Sequence, residues 1–347
     1  MIRIPSFVVI SILSGYLCYL FIPIVIKYCQ DHKLYDMPGP RKIHSNPTPR
    51  LGGIAIFAAY FLGIIPGFLL FPDLWWANIK TLTGVFLGGC IIFTLGVIDD
   101  VKGVKPLTKL LWQIVACLVL IVFDIRLQFI NIPFYHLVDF GIWGIPFTII
   151  WVVAIINTIN LIDGLDGLAA GVSGITAISF LVLSLMMNLP LPSFLVAGII
   201  GVALAFLKFN YFPAKIFMGD SGALFLGYIF GVVSLFWPKS FASVVMFVPL
   251  VALGVPLIET VTTFFRRLFA GQKFYIADKR HIFHFLLQIG IPEKVTVWLF
   301  YLIAIQFAIM AFGIVGGDRN ILFVLQAILI IFIAIVVSRN LKTESRR

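Results

Sequence analysis

The chain has 347 residues, 61% apolar and only 12% charged, with a formal net charge of +10 at pH 7. A soluble globule of this length cannot cover its surface with so few charges, and a disordered chain cannot carry so much apolar surface. Apolar runs of about 20 residues recur throughout, each long enough to cross roughly 30 Å of hydrocarbon as a helix, which defines a polytopic membrane protein.

The first run covers residues 5–26. It is too long for a signal-peptide core and no A-x-A site follows it, so a retained span is expected. Further spans are predicted at 51–71, 80–97, 107–123, 143–160, 169–188, 191–207, 222–237, 242–264, 296–315 and 320–338. Between the fourth and fifth, residues 124–142 alternate weakly through Leu127, Phe129, Ile130, Ile132 and Phe134, which predicts extended chain. Cys18, Cys29, Cys90 and Cys117 form no CxxC pair and read as small hydrophobes.

With the N-terminus outside, every Lys and Arg faces the cytoplasm except Arg3, Lys80, Arg126, Lys239 and Arg319. The positive-inside rule therefore predicts an outer N-terminus and a cytoplasmic C-terminus. The basic balance follows from that topology and from attraction to anionic membrane lipid. No basic helix or aromatic stacking motif stands apart from the spans, which argues against nucleic acid as a partner. The expected fold is an all-α polytopic membrane protein of about eleven transmembrane helices, a single domain over residues 1–347, with its active site on cytoplasmic loops.

The acids carry the functional signal. Asp99 and Asp100 end the third span in GVIDDVKG, Asp163 and Asp166 lie in NTINLIDGLDGLAAG, and Asp220 lies in FMGDSGALF. Carboxylates at span ends are costly unless paired, metal-bound or wet. Five of them on one side of the membrane point to one site. Asp99 and Asp100 suit a divalent cation or a phosphate-bearing partner, since Mg²⁺ bridges one or two carboxylates to substrate phosphates; a solvated helix end balanced by Lys102 and Lys105 is the plainer reading. At helical spacing Asp163 and Asp166 share a face, as do Asn157 and Asn160. Asp220 or Ser221 can simply cap the eighth span, or Asp220 can hold a metal beside a phosphate at the helix N-terminus. Asn210, Lys215 and Phe217 add an amide, a cation and a flat ring, which suit a nucleotide diphosphate.

Two basic segments flank these acids. FFRRLFAGQKFYIADKRHIFHFLLQIG contains Arg266, Arg267, Lys279, Arg280, His281 and His284. It reads either as an interfacial amphipathic helix or as a binder of sugar hydroxyls and phosphates. In DMPGPRKIHSNPTPRLGG, four prolines hold Arg41, Lys42, His44 and Arg50 on stiff chain, as a phosphate cradle or a rigid connector.

Together RKIHSNPTPRLGG, GVIDDVKG, NTINLIDGLDGLAAG, FNYFPAKIFMGDSG and RRLFAGQKFYIADKRHIFH resemble, in order and along the whole chain, the polyprenyl-phosphate N-acetylhexosamine-1-phosphate transferases. The layout is most similar to the branch that starts O-antigen, common-antigen or teichoic-acid linkage units. The resemblance implies a multi-pass protein of the inner (cytoplasmic) membrane. It implies transfer of N-acetylglucosamine-1-phosphate from a UDP-sugar, UDP-N-acetylglucosamine, to undecaprenyl phosphate, with release of UMP. The implied cofactor is Mg²⁺, with Mn²⁺ as the alternative, and a homodimer is the implied assembly. It assigns Asp99, Asp100 and Asp220 to catalysis and metal, and Asn157, Asn160, Asp163 and Asp166 to the nucleotide. Asn210 and Phe217 match nucleotide contacts, Arg267 and His281 match sugar-diphosphate contacts, and Arg280, His284, His44 and Arg50 belong with substrate binding. The usual last-loop motif carries a histidine where this chain has Phe283, which opens the choice of sugar to another HexNAc or a 6-deoxy sugar.

Two other classes of membrane protein share part of this pattern. A CDP-alcohol phosphatidyltransferase fits the start of its signature at Asp163 and Asp166, but Gly171 replaces its Arg and the later acids are missing. An ion- or proton-coupled transporter needs acids at span centres, where only Glu259 qualifies.

Overall fold

The computed structural model describes residues 4–37, 47–131, 137–236, 282–315, 324–328 and 330. In chain order the helices are α1 (Ile4–Asp31), α2 (Gly52–Ile64), α3 (Gly67–Leu70), α4 (Pro72–Ala77), α5 (Ile79–Lys102), α6 (Pro106–Val122), α7 (Gly144–Ile162), α8 (Leu168–Met186), α9 (Pro190–Asn210), α10 (Gly219–Val233), α11 (Ile282–Gln288) and α12 (Glu293–Val315). Among the described residues, six helices are long and apolar enough to cross a membrane. They are α1, α5, α7, α8, α9 and α12; α2, α6 and α10 are shorter apolar helices. The protein is an all-α polytopic membrane protein.

Most predicted spans coincide with these helices. The span predicted at 51–71 differs: it breaks after Ile64 into α2 and α3, and α4 follows at Pro72. Pro66 explains the break after α2 because it has no amide to donate back into the helix, and Pro72 ends α3 with Phe71 held out of the helical region. Prolines also open α6 and α9 at their first turns, where no donor is missed. The predicted span at 242–264 lies outside the described residues, and 320–338 lies mostly outside them.

Two small antiparallel pairs join the helices. Phe129–Asn131 (β3) pairs with Leu137–Asp139 (β4), with Ile130 opposite Val138, so part of the 124–142 segment is extended. Tyr35–Asp36 (β1) pairs with Thr48–Pro49 (β2), and this second pair delivers Arg50 to the site described below.

Helix α10 is the centre of the bundle. Every residue from Gly219 to Val233 except Asp220 is buried. It packs against α5, α7 and α2, while α9 packs against α1, α2 and α8, and α12 against α8. Helix α1 turns Val8, Ile12, Tyr16 and Ile24 outward. In a bilayer that face meets lipid tails, which is why α1 tolerates an apolar exterior.

Candidate active site

The ends of α5 and α10 meet at a corner built by close backbone packing. A Cβ at Gly96 of α5 would lie 2.3 Å from Ser221 Cα. At Gly219 the backbone has φ +70°, and a Cβ there would lie 2.4 Å from the Arg50 carbonyl oxygen. Only glycine combines that conformation with that contact. The chain entering α2 is stitched to the same corner: Phe217 N–H donates to Pro49 O at 2.8 Å, Gly52 N–H to Phe217 O at 3.0 Å, and Gly53 N–H to Met218 O at 2.9 Å.

This packing gives two adjacent carboxylates different surroundings. Asp100 has a fully buried side chain. It accepts the Asp220 N–H at 2.8 Å, the Ser221 N–H at 3.0 Å and the Ser221 hydroxyl at 2.7 Å. Arg50 Nε adds a fourth donor at 3.1 Å. Asp100 therefore caps the N-terminus of α10 from another helix, satisfying donors that no turn of α10 can reach.

Asp99 points elsewhere. Its Oδ1 accepts the Val104 N–H at 2.6 Å, and its Oδ2 lies 2.5 Å from Lys109 Nζ. The same ammonium lies 2.5 Å from Asp220 Oδ2. Two carboxylates from α5 and α10 thus converge on one cation supplied by α6. Arg50 completes the corner, with Nη2 at 3.7 Å from Asp220 Oδ1 and Nη1 at 4.0 Å from Asp36 Oδ1. Burial works against the charge of Arg50, but Asp100, Asp220 and Asp36 outweigh it and hold the guanidinium above its ordinary range.

One turn along α6 from Lys109, Gln113 exchanges hydrogen bonds with Asn157 of α7. Asn157 Nδ2 donates to Gln113 Oε1 at 2.8 Å, and Gln113 Nε2 donates to Asn157 Oδ1 at 3.4 Å. Helix α7 then ends at Asp163, whose N–H donates to the Asn160 carbonyl at 3.3 Å. Burial is the main cause that pushes the Asp163 carboxyl up to about 8, with the negative charges of Asp220 and Asp100 adding to it. Asp163 thus faces the corner electrostatically, though it comes from a different turn.

Asp166 and Asn210 hold that turn in place. Asp166 Oδ2 accepts the Ala214 N–H at 2.9 Å. Asn210 is buried; its Oδ1 accepts the Gly167 N–H at 3.1 Å and its Nδ2 donates to the Ile216 carbonyl at 2.9 Å. Both side chains therefore tie the 163–167 turn to residues 211–218. Phe217 is half-buried beside the corner.

The structure therefore unites Asp99, Asp100, Asp220 and Arg50, leaves Asp163 within reach of their charge, and ties Asn157 to Gln113 and Asn160, Asp166, Asn210 and Phe217 to the turn and loop beside them. His44, Arg267, Arg280 and His281 lie outside the described residues, and of His284 only the backbone, in α11, is described. Sequence reasoning missed Lys109, Gln113 and Ser221 as site residues. Lys109 had counted only toward topology, yet Lys109 and Gln113 are polar residues four apart on an otherwise apolar span, a spacing that puts both on one face.

Among the described residues no three His, Cys, Asp or Glu side chains are grouped to hold a metal. A pair does converge, and the Lys109 ammonium stands between its members as a cation. That pair offers hard oxygen donors, the chemistry Mg²⁺ selects, and Mg²⁺ commonly takes only one or two carboxylates beside substrate phosphates. Asp99 and Asp220 fit such an ion. The four donors on Asp100 engage its oxygens in holding α10.

Carboxylates at helix ends with two cations among them form a charged corner beside a buried central helix. The family model described as glycosyl transferase family 4 matches residues 82–238, the stretch that carries Asp99, Asp100, Asp163, Asp166 and Asp220, and the chain belongs to this family of phospho-sugar transferases, in the polyprenyl-phosphate N-acetylhexosamine-1-phosphate branch. It is 35% identical to a probable undecaprenyl-phosphate N-acetylglucosaminyl 1-phosphate transferase of Bacillus subtilis, over 97% of this chain and 92% of that protein. It is 34% identical to a decaprenyl-phosphate N-acetylglucosaminephosphotransferase of Mycolicibacterium smegmatis, over 80% of this chain and 73% of that protein. It is also 31% identical to a phospho-N-acetylmuramoyl-pentapeptide-transferase of Thermotoga maritima, over 88% of this chain and all of that protein. The protein is an enzyme, and the transporter reading falls.

Proposed function

We propose that the enzyme transfers N-acetylglucosamine-1-phosphate from UDP-N-acetylglucosamine to undecaprenyl phosphate, giving undecaprenyl-diphospho-N-acetylglucosamine and UMP. The convergence of Asp99 and Asp220 on one cation, with Arg50 alongside, carries this reading. A water-soluble donor and a lipid acceptor must meet where a polar corner opens at the end of a membrane helix. The names of the B. subtilis and M. smegmatis relatives support the acceptor class and the sugar.

In this proposal an oxygen of the acceptor phosphate attacks the sugar-bearing phosphorus of the donor. A new P–O bond forms, the P–O bond to the UMP phosphate breaks, and its electron pair leaves with UMP. The sugar C1–O bond stays intact. The acceptor phosphate, with a second pKa near ~6 by analogy with phosphoamino acids, is largely ionised at neutral pH, so the attack needs no obligatory base. Catalysis then rests on positioning and on neutralising charge. Asp99 and Asp220 would hold Mg²⁺, or Mn²⁺ in its place, which when bound neutralises phosphate oxygens. Lys109 and Arg50 bind phosphate charge, and Asp100 positions Asp220 by fixing the start of α10. Asn157, Asn160 and Asp163 line the donor side; Asp166, Asn210 and Phe217 support it. His44, Arg267, Arg280, His281 and His284 are assigned to the sugar diphosphate. The corner faces the cytoplasm of the inner membrane in an eleven-span, single-domain topology with an outer N-terminus, and the product starts a cell-envelope glycopolymer.

Purified protein supplied with Mg²⁺, undecaprenyl phosphate and a panel of UDP-sugars tests the reading through UMP release. The expected result is UMP with UDP-N-acetylglucosamine, lost in Asp220→Asn. UMP with a different UDP-HexNAc alone would reassign the sugar and point to Phe283. No UMP from any donor, with the protein folded, would overturn the proposal. Loss of an ¹⁸O label from the glycosidic oxygen would overturn attack at phosphorus.

A further inference from the structure

Helix α12 bonds to the 163–167 turn at two points and packs on the first turn of α8, and sequence reasoning gave it no role beyond spanning the membrane. The Tyr301 hydroxyl donates to the Gly167 carbonyl at 2.6 Å. The Tyr301 ring sits over Gly171, where a Cβ would lie 2.2 Å from its Cζ and Oη. At the first turn of α12, Glu293 Oε1 accepts the Asp166 N–H at 3.3 Å. Trp298 Nε1 donates to the Tyr211 hydroxyl at 3.1 Å, tying α12 to residues 211–218 as well.

Gly167 occupies an unusual position. It has φ +79° and precedes α8, so the turn reverses the chain between Asp163 and α8 within a few residues. Its N–H is taken by Asn210, and its carbonyl accepts both the Gly171 N–H at 2.9 Å and the Tyr301 hydroxyl. Tyr301 is 6% exposed, so its hydroxyl has little water to bond instead. A left-handed backbone persists where its surroundings determine it. Here the surroundings come from α9 on one side and α12 on the other.

We infer that Tyr301 and Glu293 are positioning residues for the donor side of the site: α12 clamps the 163–167 turn and so sets where Asp163 lies relative to Asp220. This rests on the proposed function for its kinetic consequence, not for the clamp itself. A buried neutral hydrogen bond that is lost changes an equilibrium by roughly three- to tenfold. Tyr301→Phe keeps the ring over Gly171 and removes only the hydroxyl. The expected result is a KM for the UDP-sugar raised about three- to tenfold, with kcat and the KM for undecaprenyl phosphate within about twofold of wild type. Glu293→Gln, which keeps an amide-accepting oxygen, retains wild-type KM, and Glu293→Ala raises it.

Amide hydrogen exchange on the same purified variants judges the clamp without any reaction. Exchange across residues 163–171 is expected to quicken in Tyr301→Phe while α5 and α10 exchange as in wild type. Unchanged exchange there would overturn the clamp. Quickened exchange with an unchanged donor KM would overturn its role in positioning the donor. A wild-type protein that transfers no sugar phosphate would overturn the proposed function instead, and the exchange result would still decide the clamp.

Discussion

The α5–α10 corner and the 163–167 turn are held by different forces. At the corner, Arg50 and Lys109 are set against Asp99, Asp100 and Asp220, all within 3.7 Å of an opposing charge. At the turn, the bonds run mainly between backbone groups and neutral or carboxylate side chains: Gly167 to Asn210 and Tyr301, Ala214 to Asp166, Asp166 to Glu293. A region held by charge responds to cations, pH and the loss of a single charge. A region held by amide hydrogen bonds responds to shape, and its failures are smaller and spread over several contacts.

That difference orders the expected effects. Asp220→Asn and Asp99→Asn remove a carboxylate from the converging pair, and kcat should fall by about 10³-fold or more, measured as UMP release. Equal activity in either variant would detach the corner from the chemistry. Asp100→Asn should lower kcat by about 10²-fold, and it should also lower thermal stability, by about 1–3 kcal/mol, because one of the two oxygens that accept the first N–H groups of α10 becomes a donor and Arg50 loses the nearest of its carboxylate partners. A melting temperature equal to wild type would contradict the capping role.

Lys109→Met sharpens the corner further. Without its ammonium, Asp99 and Asp220 face each other with one cation fewer, so the metal-free protein should melt lower and Mg²⁺ should raise its melting temperature more than it raises that of wild type. A smaller Mg²⁺ response than wild type would mean that Lys109 and the ion do not share that place.

The smallest effect concerns pH at Asp163. A carboxyl raised in the fold favours the protonated form, so its contribution to stability is complete below the ordinary carboxylate range and is lost as pH rises through about 8. In metal-free detergent the melting temperature should therefore fall between about pH 5 and 8, and fall less in Asp163→Asn. Identical slopes would show that Asp163 does not carry the dependence.

Much of this site was legible before any coordinates. Acids at span ends, as at Asp99, Asp163 and Asp220, have few roles in a membrane protein, and the pattern reads as one site. What the sequence could not separate was Asp99 from Asp100. Consecutive residues on a helix point about 100° apart, and only the neighbour each one meets decides its role: Lys109 for one, the start of α10 for the other. Lys109 itself was hidden because a lysine near a span end reads as a topology signal. Tyr301 was hidden more deeply, since an aromatic in an apolar helix looks like packing until Gly167 is seen across from its hydroxyl. The break in the 51–71 span was written in Pro66 and Pro72, and hydropathy outweighed them.

The most direct test of the account is Mn²⁺ binding followed by electron paramagnetic resonance on wild type, Asp99→Asn, Asp100→Asn and Asp220→Asn. The account predicts affinity weakened about tenfold or more in Asp99→Asn and Asp220→Asn, and kept within a few-fold in Asp100→Asn. Equal weakening in the two neighbours, or loss only in Asp100→Asn, would contradict the division of labour between them.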